Sequence, residues 1–415
     1  MDSHAYESSP PAFDCLLGVG AVDTFRASAG NAFPGLQRWA AGVDDWLLGH
    51  FAYDLAAETE GIAGSFPDPI GFPELFFFRP ACLILLKKGC MRIGTLGEDP
   101  QAVWEQICAT VPDEAAAGPV GAAAQVAAAA AAVSGAGPIE FTPRFTRDEY
   151  LSTVDALRRH ILRGDCYEIN FCQEFFAQPA AIDPYAVWRA LSQASPNPFA
   201  AFYRLDHRYL LCASPERFLR KTGDRLFSQP IKGTASRQKQ DAVADNKQRD
   251  ELYHSAKDRA ENVMVVDLVR NDLARICRPG SVQVTELFGI YPFPQVYQMI
   301  STIVGEMLPG LDWTEAVRNC FPMGSMTGAP KHRVVQLIGR YERSRRGLFS
   351  GAVGYVTPER DFDFNVVIRS LLYNQQDHYL SYLVGSGITY SSDARAEYEE
   401  CLVKAEGIRK ALGQR

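Results

Sequence analysis

The stretch Asp363-Phe364-Asn365-Val366-Val367-Ile368-Arg369-Ser370-Leu371-Leu372-Tyr373, followed by Asn374-Gln375-Gln376-Asp377 and then Tyr379-Leu380-Ser381-Tyr382-Leu383-Val384-Gly385, decides the fold class. Two runs rich in β-branched and aromatic residues flank a short polar turn, the pattern of two strands joined by a hairpin. A last helix is expected from about Ala394 to Leu412. Outward from here, strand-like runs are expected at Tyr203 to Ser214 and Leu226 to Pro230. A long helix is expected from about Lys247 to Leu268, and another starting at Pro330. Thr146 with Glu149 forms a capping box, after which Tyr150, Val154, Leu157 and Ile161 recur at helical spacing until Gly164. Strands and helices do not alternate strictly, which favours a mixed, largely antiparallel α+β architecture over a doubly wound parallel sheet.

From Glu114 to Pro138, Ala, Gly and Pro replace nearly every other residue, and no aromatic side chain is present to anchor a core. Residues 114–138 therefore read as a mobile linker between an N-terminal part, 1–113, and a C-terminal region, 139–415. A net charge of -7 with 22% charged residues offers no basic stripe to follow nucleic acid phosphates. Ten scattered cysteines with no C-x-x-C suggest reduced thiols. The segment Met1 to Pro11 carries no basic region ahead of an apolar run. No apolar stretch approaches the roughly 18 residues a membrane span needs, so a soluble cytoplasmic protein is expected.

Several constellations can carry chemistry. Asp258 with Glu261, and Glu397 with Glu400, are each spaced i, i+3, so each helix can show two carboxylates on one face, either as solvated surface or as Mg²⁺ ligands. In Gln229-Pro230-Ile231-Lys232-Gly233-Thr234, a strand-like run ends in a turn holding a lone lysine. At its reference pKa only about one lysine in two thousand is neutral at pH 7, and burial or a nearby cation lowers that pKa. Glu216 is either an acid for a departing hydroxyl or one half of a surface ion pair. Ser325 and Thr327, in Gly324-Ser325-Met326-Thr327-Gly328-Ala329-Pro330-Lys331, lie in small residues leading into a helix, a structural turn or an anion site. Gly385 and Gly387 form a second glycine corner, which is not a dinucleotide fingerprint because the third glycine and the helix are missing. Arg369 and Lys404 suit either substrate carboxylates or structural ion pairs.

In this order the segments resemble the chorismate-binding family, which includes anthranilate synthase component I and isochorismate synthases. The resemblance is dense from about Phe145 to Leu412. It is carried by Ser214-Pro215-Glu216, Pro230-Ile231-Lys232-Gly233-Thr234 and Val266-Asp267-Leu268-Val269-Arg270-Asn271-Asp272-Leu273. Thr327-Gly328-Ala329-Pro330-Lys331, Ile368-Arg369-Ser370-Leu371 and Glu400-Cys401-Leu402-Val403-Lys404-Ala405 complete it, and Leu47 to Leu55 is similar to an early family element.

The resemblance implies a large α/β sandwich with Mg²⁺ held chiefly by Glu261 and Glu400 and supported by Asp258 and Glu397. It also implies substrate carboxylates held by Arg369, Lys404 and the backbone of Gly385 to Gly387. Members that aminate C2 or isomerise chorismate generally carry alanine at position 232, whereas those that aminate C4 carry lysine. The implied reaction is attack of Lys232 on C2, departure of the C4 hydroxyl with help from Glu216, and entry of ammonia at C4. The ammonia would come from a separate glutamine amidotransferase subunit, since the chain leaves no room for such a domain. Amination at C2 with loss of pyruvate is the alternative reaction, and an inactive chorismate-binding subunit the alternative of another class. Gln298 stands where many relatives have histidine, and Phe349 where tyrosine is frequent. The serine motif associated with tryptophan feedback is not found.

Overall fold

The computed structural model describes residues 1–4, 6, 13–64, 66–110 and 139–414; the expected linker, 114–138, lies outside the described residues. Two sheets dominate, and every strand pairing in them is antiparallel. The larger has 11 strands; nine run in the order Cys15–Ala27, Leu75–Lys87, Leu47–Phe51, Ala352–Val356, Phe362–Asn365, Arg217–Thr222, Arg225–Gln229, Val296–Glu306, Ile231–Ser236, while Cys90–Thr95 pairs with Leu75–Lys87 and Gln283–Pro292 with Val296–Glu306. Leu47–Phe51 thus sits directly beside Ala352–Val356, so the first and last thirds of the chain share one sheet. The smaller sheet has seven strands, centred on Glu168–Ala177, Tyr379–Ile388, Ser370–Asn374 and Arg208–Ser214.

The smaller sheet is covered on both faces, and its side chains alternate accordingly. Tyr209, Leu211 and Ala213 join a core with buried residues of helices Arg147–Leu162, Pro184–Ala194, Lys331–Tyr341 and Ala394–Ala411. Leu210 and Cys212 point into a second core shared with Leu219, Leu226 and Ile303 of the larger sheet. The expected α+β class with antiparallel sheets and outer helices is what the chain forms. The capping box holds too: the Thr146 hydroxyl accepts from the Glu149 amide and the Glu149 carboxylate accepts from the Thr146 amide.

Three expectations need correction. The run Asp363 to Tyr373 is not one strand. Phe362–Asn365 belongs to the larger sheet and Ser370–Asn374 to the smaller, and residues 366–369 cross between them. Val366 and Val367 are fully buried in that crossing, so their β-branched character serves the core and not a ladder. Arg369, expected on the strand, lies at the end of the crossing in a left-handed conformation with φ +53°. The long helix from Lys247 to Leu268 is two helices, Ala242–His254 and Ala256–Ala274. Ser255 leaves helical geometry between them, and its hydroxyl caps the second by accepting from the Asp258 amide. The run Tyr203 to Ser214 is a hairpin, Phe199–Leu205 and Arg208–Ser214, turned at Asp206 with φ +56°.

Candidate active site

A second crossing runs beside the first. Arg208–Ser214 ends in the smaller sheet, Pro215 and Glu216 pass over, and Arg217–Thr222 begins in the larger. The Val366 amide donates to the Glu216 carbonyl at 3.0 Å and the Ala213 amide to the Arg369 carbonyl at 3.2 Å, which ties the two crossings together. Chain that passes between sheets has no ladder partner on either side, so its side chains are free to line a cleft. Glu216 and Arg369 do so, in a cavity of about 1060 Å³. That volume exceeds what a small dicarboxylate needs and leaves room for a second reactant.

Lys232 reaches the same cavity through a bulge. Ile231 pairs with Ile300 and Thr234 with Gln298, so Lys232 and Gly233 together face the single residue Met299. A bulge of this kind re-aims a side chain. Gly233 supplies the left-handed conformation it requires, with φ +95°, and a Cβ there would come within 3.0 Å of the Asp258 Cβ. The Lys232 ammonium lies 2.5 Å from Glu168 Oε1, with Lys232 11% and Glu168 2% exposed. Burial pushes the lysine pKa down, as expected from the sequence, but Glu168, Glu261 and Glu216 outweigh burial and hold it above the usual range. In this state Lys232 is charged.

Glu216 is buried, and burial raises its carboxyl to about 7 against the pull of the Ser325 hydroxyl and the Lys232 ammonium. It can therefore remain a proton donor near neutral pH. Ser325, on the short turn Gly324–Met326, lines the cavity. Thr327 does not: it is fully buried and its hydroxyl donates to the Met323 carbonyl at 3.0 Å, so its side chain is spent on the turn.

The four acidic residues come from two helices. Asp258 and Glu261 lie on Ala256–Ala274, Glu397 and Glu400 on Ala394–Ala411. Asp258, Glu261 and Glu400 line the cavity, while Glu397 is buried behind it. Lys257 stands between the helices, 3.9 Å from Glu261 Oε1 and 3.6 Å from Glu397 Oε1. Both oxygens are buried, and neither accepts a hydrogen bond among the described residues. Burial raises Glu261 to about 7. Among the described residues no three acidic, histidine or cysteine side chains form a finished metal cage. The unsatisfied buried oxygens and the ammonium drawn between them nevertheless mark a place that favours positive charge, and the donor set, all carboxylate oxygen, suits Mg²⁺.

Two cations, Arg369 and Lys404, line the same cavity. Arg369 makes no ion pair or side-chain hydrogen bond among the described residues, and burial lowers its pKa. An arginine so placed awaits an anion. Lys404 donates to the Gly385 carbonyl at 2.8 Å and pairs with Glu400 at 2.7 Å. Burial raises the Glu400 pKa, but Lys404 overcomes it and keeps the carboxylate below the usual range. Gly385 and Gly387 both line the cavity, and both lack space: a Cβ at 385 would meet Cys172 Sγ at 2.4 Å, and one at 387 would meet Glu168 Oε1 at 2.6 Å. Gln298 and Phe349 line it as well, and Gln298 Oε1 is buried with no hydrogen-bond partner among the described residues.

Sequence reading missed Glu168, Asn170 and Lys257. Asn170 donates to the Ser325 carbonyl at 2.9 Å, fixing that turn. Glu168 and Asn170 alternate with apolar Ile169 and Phe171 on one strand, a polar face on a strand buried on both sides, which is the signal that marks them. The motif residues Asp272 and Lys331 form a buried ion pair at 2.7 Å outside the cavity, joining helix Ala256–Ala274 to helix Lys331–Tyr341.

Known proteins resemble the chain in sequence and in fold. The family model described as chorismate binding enzyme matches residues 3–410. Aminodeoxychorismate synthase component 1 of Escherichia coli is 38% identical over 66% of this chain, and the chain spans 59% of that relative's length. Anthranilate synthase component 1 of Thermus thermophilus is 30% identical over 96% of this chain and 88% of its own length. Anthranilate synthase component I from Streptococcus pneumoniae superposes with a TM-score of 0.80 at 24% identity, covering 97% of this chain and 93% of that one.

Proposed function

The chain belongs to the chorismate binding enzymes, and on that premise we propose that it aminates chorismate at C4, giving 4-amino-4-deoxychorismate for 4-aminobenzoate formation. The observation that carries this reading is Lys232, a primary amine aimed by a bulge into the cavity beside an acid poised near neutrality. The relatives named aminodeoxychorismate synthase component 1 support it, being more similar over their matched region than the anthranilate synthase.

The steps follow from the residues. Arg369 and Lys404 bind the substrate carboxylates. The neutral amine of Lys232 attacks C2, the ring double bonds shift, and the C4 hydroxyl leaves as water with the proton of Glu216. Ammonia then enters at C4, the double bonds shift back and lysine departs, so two displacements retain the configuration. Glu261 and Glu400 would hold Mg²⁺, with Asp258 and Glu397 in support, and the ion would supply positive charge to bind the anionic substrate. The ammonia would come from a separate glutamine amidotransferase subunit, in keeping with relatives named as a component 1.

The test is the product. Purified protein given chorismate, Mg²⁺ and an ammonium salt is expected to form 4-amino-4-deoxychorismate, and Lys232→Ala to form none measurable. Anthranilate as the main product would overturn the reading.

A further inference from the structure

The steps above leave one question of protons. Lys232 sits in the cavity as an ammonium, and only its neutral form can attack. Glu216 cannot relieve it, since Glu216 delivers a proton to the departing hydroxyl. Among the described residues, one group accepts a hydrogen bond from the Lys232 Nζ: Glu168 Oε1, at 2.5 Å. Glu168 Oε2 is buried and accepts no hydrogen bond among the described residues.

The backbone holds Glu168 in place. Its residue pairs with Ala329 across the strand, and a Cβ on Gly328 would come within 2.1 Å of the Glu168 carbonyl oxygen, so the two chains are in close contact there. The absence of a side chain at Gly387 leaves the space in which carboxylate and ammonium meet.

We infer that Glu168 is a catalytic residue, the base that takes the Lys232 proton as the amine attacks and returns it as the amine leaves. The inference rests on the C4-amination reading. The balance is as follows. One proton passes from the ammonium to Glu168, leaving a neutral amine and a carboxylic acid. The amine lone pair forms the N–C2 bond, the two double bonds shift, and the C4–O bond breaks with a proton from Glu216, releasing water. Ammonia forms the C4–N bond, the double bonds shift back, and the C2–N electrons return to lysine. The new C4 ammonium gives a proton to Glu216, and Glu168 gives its proton to Lys232. Both carboxyls end as they began.

The test compares Glu168→Gln with the wild-type protein in steady-state amination with chorismate, Mg²⁺ and an ammonium salt, across pH. Glutamine keeps the shape and a hydrogen bond to lysine but takes no proton. We expect kcat to fall by about 10²–10⁴-fold with KM for chorismate within about threefold, the loss being greatest below the pH at which Glu216 ionises. A wild-type kcat and pH profile, or a change confined to KM, overturns the inference. Should Glu168→Gln not fold, Glu168→Asp, whose carboxylate is withdrawn by one methylene, is expected to lose at least about tenfold in kcat, and wild-type kcat in it overturns the inference equally. Lys232→Ala separates the two levels. C4 amination surviving in it refutes the covalent reading on which this one stands, whereas loss of amination there with a wild-type profile in Glu168→Gln refutes the role of Glu168 alone.

Discussion

Replacing Gly387 by alanine tests how tightly the lysine and its carboxylate are placed. Its φ lies outside the left-handed region, so the backbone accepts alanine and the effect is steric. The new Cβ would sit 2.6 Å from Glu168 Oε1 and 2.9 Å from Lys232 Nζ, where ordinary contact begins at 3.4 Å. One or both groups must withdraw by roughly 0.5 to 0.8 Å, and both are ends of side chains. Misplacement on this scale costs on the order of 10²-fold in rate. The stability loss should stay near the low end of overpacking, about 1 kcal/mol, because the side chains can swing aside. Gly385→Ala is the contrast: its Cβ would meet the Phe171 carbonyl oxygen at 2.5 Å, and backbone cannot swing. It should cost about 3 kcal/mol. The assay is kcat for C4 amination by product chromatography, paired with denaturant midpoints for both variants. Wild-type turnover in Gly387→Ala would refute the placement of Lys232 against Glu168.

Further expectations concern single groups. With Glu216 at about 7 and required in its protonated form, amination should decline as pH rises through that value; Glu216→Gln should lose about 10²–10⁴-fold in rate and flatten that limb, as a pH–rate series would show. Arg369→Met removes an unpaired guanidinium from the cavity and should raise KM for chorismate by roughly 10- to 100-fold, the worth of a charge-assisted hydrogen bond, with little change in folding. Asp272→Asn breaks a buried pair outside the cavity and should cost about 3 kcal/mol in chemical denaturation while KM stays unchanged. EDTA should stop turnover and added Mg²⁺ restore it, whereas Glu400→Gln should need far more Mg²⁺; full activity in EDTA refutes the metal assignment.

Much of this was legible in the sequence. The antiparallel α+β class and the caps at Thr146 followed from local pattern, and ten of the twelve residues expected at the site line one cavity. Local pattern failed where tertiary context outvoted it. Val366-Val367-Ile368 has the composition of a strand, yet it fills the core between two sheets, and only the left-handed turn at Arg369 reveals the crossing. Thr327 looked available because its neighbours are small, but the turn consumes its hydroxyl. Glu168 was invisible because its partner lies 64 residues away, and nothing but strand register brings the two together. The same distance misled the reading of Lys232: burial alone predicts a depressed pKa, while the carboxylates that reverse it come from three other elements.

The most direct measurement is mass spectrometry of the protein held with chorismate and Mg²⁺ but no ammonia. The account predicts an adduct of one chorismate less one water on the peptide bearing Lys232, discharged as 4-amino-4-deoxychorismate when an ammonium salt is added. Turnover at full rate with Lys232 never modified would contradict it.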